Sequence, residues 1–93
     1  MKFNIYTVWD AVADEAITTF ASKTDGMAVR ENMPTLASMR PIKDLTLYRI
    51  AEFDDETLEI KPTEKQLVSW QAYNWPEAKS EVKTAEEKSK EDK

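Results

Sequence analysis

The sequence of 93 residues contains no cysteine, no histidine and only one glycine. Without cysteine there are no disulfides, thiolate nucleophiles or sulfur metal ligands. Without histidine, the commonest general acid–base side chain and zinc ligand is missing. A single glycine cannot build a glycine-rich phosphate loop or a nucleophile elbow. These absences predict a protein that is not an enzyme and that uses no cofactor.

Long apolar runs are also missing. No segment approaches the roughly 20 apolar residues that cross a bilayer, and no signal peptide is visible. We therefore expect a protein of a reducing cytoplasm with no membrane partner. The net charge is −5, and residues 79–93 hold five lysines and five acids, so residues 1–78 carry the whole negative excess. Nucleic-acid binders are more often basic, and this charge counts against DNA binding.

The clearest structural signal is a hairpin at residues 45–60. Residues of high β-propensity alternate from 45 to 53, short polar side chains at 54–57 favour a turn, and alternation resumes at 58–60. A type I turn closed by a bulge would place Leu58 in the left-handed conformation. The acids around this turn lack the twelve-residue loop of a calcium site, and turn formation with protection of a strand edge explains them better than a metal does.

The residues before the hairpin predict a strand and a helix. Residues 2–9 alternate as a strand, and residues 11–20 are ambiguous between a helical turn and a short strand; we favour a loop followed by a short extended piece. Residues 25–38 read as a helix with Thr24 as N-cap and an apolar face. Pro34 predicts a kink or a restart of this helix, and Arg40 before proline predicts its end.

Beyond the hairpin, a T-x-x-Q capping box at Thr63 predicts a short helix over residues 64–73 with Leu67 and Trp70 on its buried face. The fold class is therefore α+β, a small antiparallel sheet packed with one main helix and a short C-terminal helix. We place a compact domain at residues 1–75 and a charged tail, flexible or partly helical, at 76–93. Asn74 could cap a further helix there.

Nine aromatic residues could stack on nucleic-acid bases, although core packing explains most of them. Phe3 and Phe53 occupy strand positions that a helix could cover. Tyr6 and Tyr48 instead point away from the more apolar face of their strands. Nearby basic residues could meet phosphates, although ordinary structural roles remain the more frequent explanation. The candidate nucleic-acid-binding residues are Arg40, Lys43, Tyr48, Arg49 and Tyr6; no catalytic, cofactor or metal residue is expected.

Several short motifs resemble a known family. An opening strand ends in Asp10 (IYTVWD), Phe20 follows, and residues 28–30 give an AVR helix pattern. The segment KDLTLYRIAEFDDET is the most specific, similar to a D-x-x-L-Y-x-x-G-x-F-D turn region. Over residues 3–61 the chain resembles the small nonstructural protein of gokushovirus-type microviruses, phages with single-stranded DNA. Ala51 and Leu58 stand where that family usually has glycine, which concerns the backbone of the turn.

The resemblance implies a protein made in the cytoplasm of the infected host and absent from the virion. Its implied role is to assist single-stranded DNA replication, or the switch to single-strand synthesis and packaging. It would do so by binding DNA or the replication machinery. The alternative is an adaptor that binds a host or phage replication protein without touching DNA, through a sheet edge or the segment from Trp70 to Trp75. Self-association is compatible with either role.

Overall fold

The computed structural model describes residues 1–73. The expected charged tail at 76–93, the helix cap at Asn74 and the position of Trp75 lie outside the described residues. The elements in chain order are β1 (Lys2–Asp10), β2 (Glu15–Ser22), α1 (Asp25–Met39), β3 (Leu45–Asp54) and β4 (Glu59–Val68). Two short 3-10 turns, Ile42–Asp44 and Trp70–Ala72, precede β3 and follow β4.

The four strands form one antiparallel sheet in the order β2-β1-β3-β4. Each edge strand is joined to a central strand by a tight hairpin, while α1 carries the chain from the β2 edge back to β3. The α+β class and the main helix are confirmed. The expected loop and extended piece at 11–20 are a four-residue turn and the start of β2, which pairs with β1 through all its residues except Ile17.

One face of the sheet packs on α1 and forms the core. The helix begins after Thr24, whose side chain accepts a hydrogen bond from the amide of Met27, as the sequence predicts. It ends at Met39, before Arg40. It continues through Pro34 without a restart. The buried core residues are Tyr6, Val8, Ala28, Val29, Met33, Leu45, Leu47 and Val68.

Simple alternation over residues 45–53 places Leu45, Leu47, Ala51 and Phe53 on one face of β3, and the structure shows that this is only partly right. Tyr6 pairs with Arg49, but the next pair is Ile5 with Ala51, so Ile50 is an extra residue in β3. Because side chains alternate between faces, this bulge moves the residues after it to the opposite face from the one that simple alternation gives. Leu45 and Leu47 face the helix, while Ala51 lies with Ile5 on the other face.

The helix does not cover Phe3 and Phe53, contrary to the prediction. These two residues pair across β1 and β3 on the face that α1 does not touch. The helix instead packs on Tyr6 and Val8, which are fully buried. The alternation of β1 was read correctly, but the side chosen for the helix was the wrong one.

The short helix predicted at 64–73 is absent. β4 pairs with β3 as far as Val68, and up to residue 73 only the 3-10 turn Trp70–Ala72 follows. The Thr63 hydroxyl donates to the carbonyl of Glu64 instead of capping a helix. Leu67, expected on a buried helix face, is 65% exposed. The capping-box pattern was overridden by pairing with β3.

Candidate nucleic-acid interface

The sheet face opposite α1, here called the open face, carries no helix. Its membership follows from the register, since residues directly paired on antiparallel strands share a face. Its large apolar members come from β1, β3 and β4, and they are half-buried or exposed. They are Phe3, Ile5, Trp9, Tyr48, Phe53, Ile60 and Leu67.

Acidic side chains of the strands are placed on the opposite side. Glu52 pairs with Asn4, Asp54 with Lys2, and Glu59 with Asp54, so all three share the face of Tyr6. Asp10 and Glu15, paired with each other, also lie on that face. Apart from Glu64 in the bulged part of β4, no strand acid of residues 1–73 lies on the open face. Although the net charge is −5, the described strands therefore place no acid on this face outside the β4 bulge.

Two aromatic rings stand near one end of the open face. Trp9 pairs with Thr46, and Thr7 pairs with Tyr48, whose other neighbour on β4 is Leu67. A depression of about 310 Å³ is lined by Thr7, Trp9, Tyr48 and Lys65. We call these four residues and Leu67 the Trp9 end of the open face.

A cation lies over one of the rings. The Lys65 ammonium is 4.7 Å from the centroid of the Tyr48 ring, a distance at which the positive charge is attracted by the ring's π face. An irregular bulge accompanies this placement, because three residues of β4, 63–65, stand opposite only Ile50 of β3. The Trp9 end thus combines two aromatic rings, of Trp9 and Tyr48, with the positive charge of Lys65.

The five predicted binding residues do not form one site. Tyr48 lies on the open face, and Lys43 is exposed in the 3-10 turn before β3. Arg40 donates a hydrogen bond to Asp10 at 2.8 Å. Arg49 lies on the helix side, where it pairs with Asp25 at 2.9 Å and donates to Gln66.

Tyr6 is enclosed by the core and cannot stack on a base. Its side chain is fully buried, its ring stacks with Phe20 at 5.6 Å, and its hydroxyl donates to Asp25 at 2.6 Å. Burial and then the hydrogen bond to Asp25 raise the pKa of Tyr6 to about 12. Tyr6 is therefore a structural residue that links β1 to the start of α1.

Asp10 closes the first hairpin and does not act as a free carboxylate. Its side chain accepts hydrogen bonds from the backbone amides of Val12 and Ala13 and from Arg40. The amide of Ala13 and the guanidinium of Arg40 hold the pKa of Asp10 below its usual range. Arg40 is accordingly tied to this turn.

The sequence interpretation missed Trp9, Thr7 and Lys65. The alternation of β1 already placed Thr7 and Trp9 opposite Tyr6, so the signal for them was present once the helix side was known. Lys65 had no such signal, because its position depends on a bulge in a segment that reads as helical.

The described residues offer little for other kinds of site. Within residues 1–73, no three acids group closely enough to hold a metal ion. In the same range, no helix is long and apolar enough to cross a membrane.

The fold and the open face define a class, a small α+β protein with a four-stranded antiparallel sheet, one helix on one side and an exposed aromatic surface on the other. The chain belongs to the Phage ORF5 protein family, whose model matches residues 3–74. This membership confirms the phage family resemblance seen in the sequence and identifies a phage protein. No curated protein and no solved structure matches the chain.

Proposed function

We propose that this phage protein is a non-enzymatic accessory factor that binds single-stranded DNA through the Trp9 end of the open face. The observation that carries the proposal is the placement of Trp9, Tyr48 and Lys65 together on a sheet face where, among the described residues, no strand acid outside the β4 bulge lies. Exposed aromatic residues on a four-stranded sheet with a helix behind it are a recurrent way to hold unpaired bases.

Stacking supplies the affinity in this proposal. A base stacked on an aromatic side chain contributes about 1–3 kcal/mol, and every base has a π face, so binding does not require a particular sequence. Trp9 and Tyr48 provide two rings for this stacking. Duplex DNA hides its base faces and gains none of this stacking.

A single cation explains how an acidic protein could bind a polyanion. Lys65 can move from the Tyr48 ring to a phosphate, while the strand acids outside the β4 bulge stay on the other face. The predicted roles of Arg40 and Arg49 are not retained, because Asp10 and Asp25 already neutralise them. Binding is then mainly a matter of stacking and only weakly electrostatic.

Substitution of the rings tests this proposal. Tyr48→Ala and Trp9→Ala should each weaken binding of a labelled single-stranded oligonucleotide by about tenfold or more, measured by fluorescence anisotropy. Tyr73→Ala is the matched control, because Tyr73 is 37% exposed and lies against Gly26 on the helix side. Unchanged affinity in Tyr48→Ala and Trp9→Ala, with circular dichroism of the folded protein retained, would exclude this surface.

The biological role belongs to the same proposal. A single-strand binder made in the host cytoplasm and left out of the virion would favour single-strand synthesis or packaging in a microvirus-type phage. Cells infected with phage carrying Tyr48→Ala should then hold less single-stranded phage DNA relative to duplex forms. An unchanged ratio would contradict this role.

The second candidate is an adaptor that binds a host or phage replication protein. Its support is the net charge of −5 together with exposed apolar residues such as Leu67, since a purely apolar contact needs no cation. The hypothesis that the segment from Trp70 to Trp75 docks a partner loses support at Trp70. This residue packs on the core, and its indole N–H donates a hydrogen bond to the carbonyl of Leu45. Capture of one replication protein by wild type but not by Leu67→Glu, without DNA binding, would favour the adaptor.

A further inference from the structure

The segment of β4 that carries Lys65 is irregularly paired with β3. Residues 63–65 stand opposite only one residue of β3, so the regular ladder of strand pairing is interrupted there. Pro62, the last paired residue before this bulge, has no N–H to donate. Every residue of β4 before Val68 is exposed, so burial of apolar side chains adds little. The position of Lys65 therefore depends mainly on the pairing that resumes at Gln66.

A set of hydrogen bonds holds Gln66 from the helix side of the sheet. Gln66 pairs with Arg49, and the Arg49 guanidinium donates a hydrogen bond to the side-chain oxygen of Gln66. The same guanidinium donates to both carboxylate oxygens of Asp25, at 2.9 and 3.0 Å. Asp25 is the first residue of α1 and also accepts a hydrogen bond from Tyr6 at 2.6 Å. We call Asp25, Arg49 and Gln66 the clamp, which connects the end of the bulge to the helix and to the central strand β1.

Lys65 lies on the opposite side of the sheet from the clamp. Neighbouring residues of a strand point to opposite faces, so a Gln66 side chain held on the helix side directs Lys65 to the open face. There its ammonium lies 4.7 Å from the centroid of the Tyr48 ring. We propose that Arg49 and Gln66 are positioning residues, which fix Lys65 over Tyr48 without touching DNA. The functional consequence rests on the proposed DNA binding, whereas the placement of Lys65 does not.

The clamp gives Arg49 a role in binding although its charge is already neutralised by Asp25. A group held near its bound position loses less conformational freedom when the ligand arrives, and this raises affinity. Lys65 is a long and flexible side chain in an exposed bulge, so it gains from such preorganisation. Arg49 thus acts through Lys65 and not through a phosphate of its own.

Nuclear magnetic resonance of the full chain tests the placement without DNA. The methylene protons next to the Lys65 ammonium lie close to the Tyr48 ring, whose ring current should move their resonances upfield in wild type. Gln66→Leu removes the acceptor for Arg49 and should return these resonances towards those of an ordinary exposed lysine. The variant should stay folded, because Gln66 is exposed. Gln66→Glu keeps an acceptor for the guanidinium and should keep the upfield shift.

Gln71→Leu is the matched control. It removes the same amide from an exposed position in the 3-10 turn after β4, outside the clamp. The Lys65 resonances and the affinity for single-stranded DNA should both stay as in wild type.

A double-mutant cycle with a single-stranded oligonucleotide tests the consequence for binding. Gln66→Leu should weaken binding about threefold at about 50 mM salt and flatten the slope of log affinity against log salt, because the one phosphate contact is loosened. In a Lys65→Met background the same substitution should have no further effect, since the group that it positions is gone.

Two results would overturn the positioning role. One is a set of Lys65 resonances that is the same in Gln66→Leu as in wild type. The other is an equal loss of affinity from Gln66→Leu with and without the Lys65 ammonium. Wild type that does not bind single-stranded DNA, with Lys65 resonances that still depend on Gln66, would instead exclude the proposed function and support the placement of Lys65 by the clamp.

Discussion

At the scale of single residues, the two hairpin turns show the same backbone solution. Asp14 and Leu58 both have positive φ, 59° and 65°, and are the described non-glycine residues that do. Their amides donate to the carbonyls of Asp10 and Asp54, at 2.8 and 2.7 Å. Each hairpin thus needs a left-handed residue at the end of its turn, a position that favours glycine.

Leu58→Gly should stabilise the protein. The left-handed conformation costs a non-glycine residue about 1–2 kcal/mol, and Leu58 is 73% exposed, so little burial is lost. After the greater flexibility of glycine in the unfolded chain is subtracted, we expect a gain of about 0.5–1 kcal/mol, measured by urea unfolding. Asp14→Gly should gain less, because aspartate tolerates this conformation better. A lower stability of Leu58→Gly would mean that its side chain packs on the turn.

The raised pKa of Tyr6 predicts how the free energy of unfolding changes at alkaline pH. Its pKa is about 12 in the folded chain and close to the ordinary value of 10 when unfolded. The folded state therefore binds the phenol proton of Tyr6 more tightly than the unfolded state does. The resulting contribution to the free energy of unfolding is complete below pH 10 and is lost as pH rises from 10 to 12. Tyr6→Phe should lose less stability over that window than wild type in urea titrations. Equal losses in the two proteins would show that Tyr6 ionises normally in the fold.

At the scale of elements, α1 contains a residue that helices usually avoid. Pro34 lies inside Asp25–Met39, where it cannot donate to the carbonyl four residues earlier. Pro34→Ala should raise the free energy of unfolding by about 1–3 kcal/mol, because the proline penalty is removed while the buried neighbours Val29 and Met33 stay in place. The thermal midpoint of the variant measures the effect. A decrease would mean that the ring of Pro34 packs in a way that alanine cannot replace.

The elements also show what the sequence could predict. Alternation found β1 and the first half of β3, and Thr24 correctly marked the start of α1, because these signals depend on nearby residues. The bulges at Ile50 and at residues 63–65 could not be read, since they exist only through pairing with other strands. They decide which side chains share the open face. The grouping of Tyr48 with Tyr6 had another cause, which was the wrong choice of the sheet side that α1 covers, and Arg49 lies on the helix side with Tyr6.

At the scale of the whole molecule, the sheet separates two environments. Its helix side holds the core and the strand acids outside the β4 bulge. On the same side, Asp25 of α1 accepts hydrogen bonds from both Tyr6 and Arg49. Its open side holds the exposed aromatic residues with Lys65. The overall charge of −5 therefore says little about the open face, which is the surface proposed to meet DNA.

The most direct test of the central claim is the binding of wild-type protein to single-stranded and duplex oligonucleotides at two salt concentrations. Stacking with one phosphate contact predicts measurable binding to the single strand and much weaker binding to the duplex. The slope of log affinity against log salt should be about −0.7, so that affinity falls only about threefold between about 50 and 200 mM salt. No binding to the single strand at low salt, or equal binding to duplex with a steep slope, would contradict the claim.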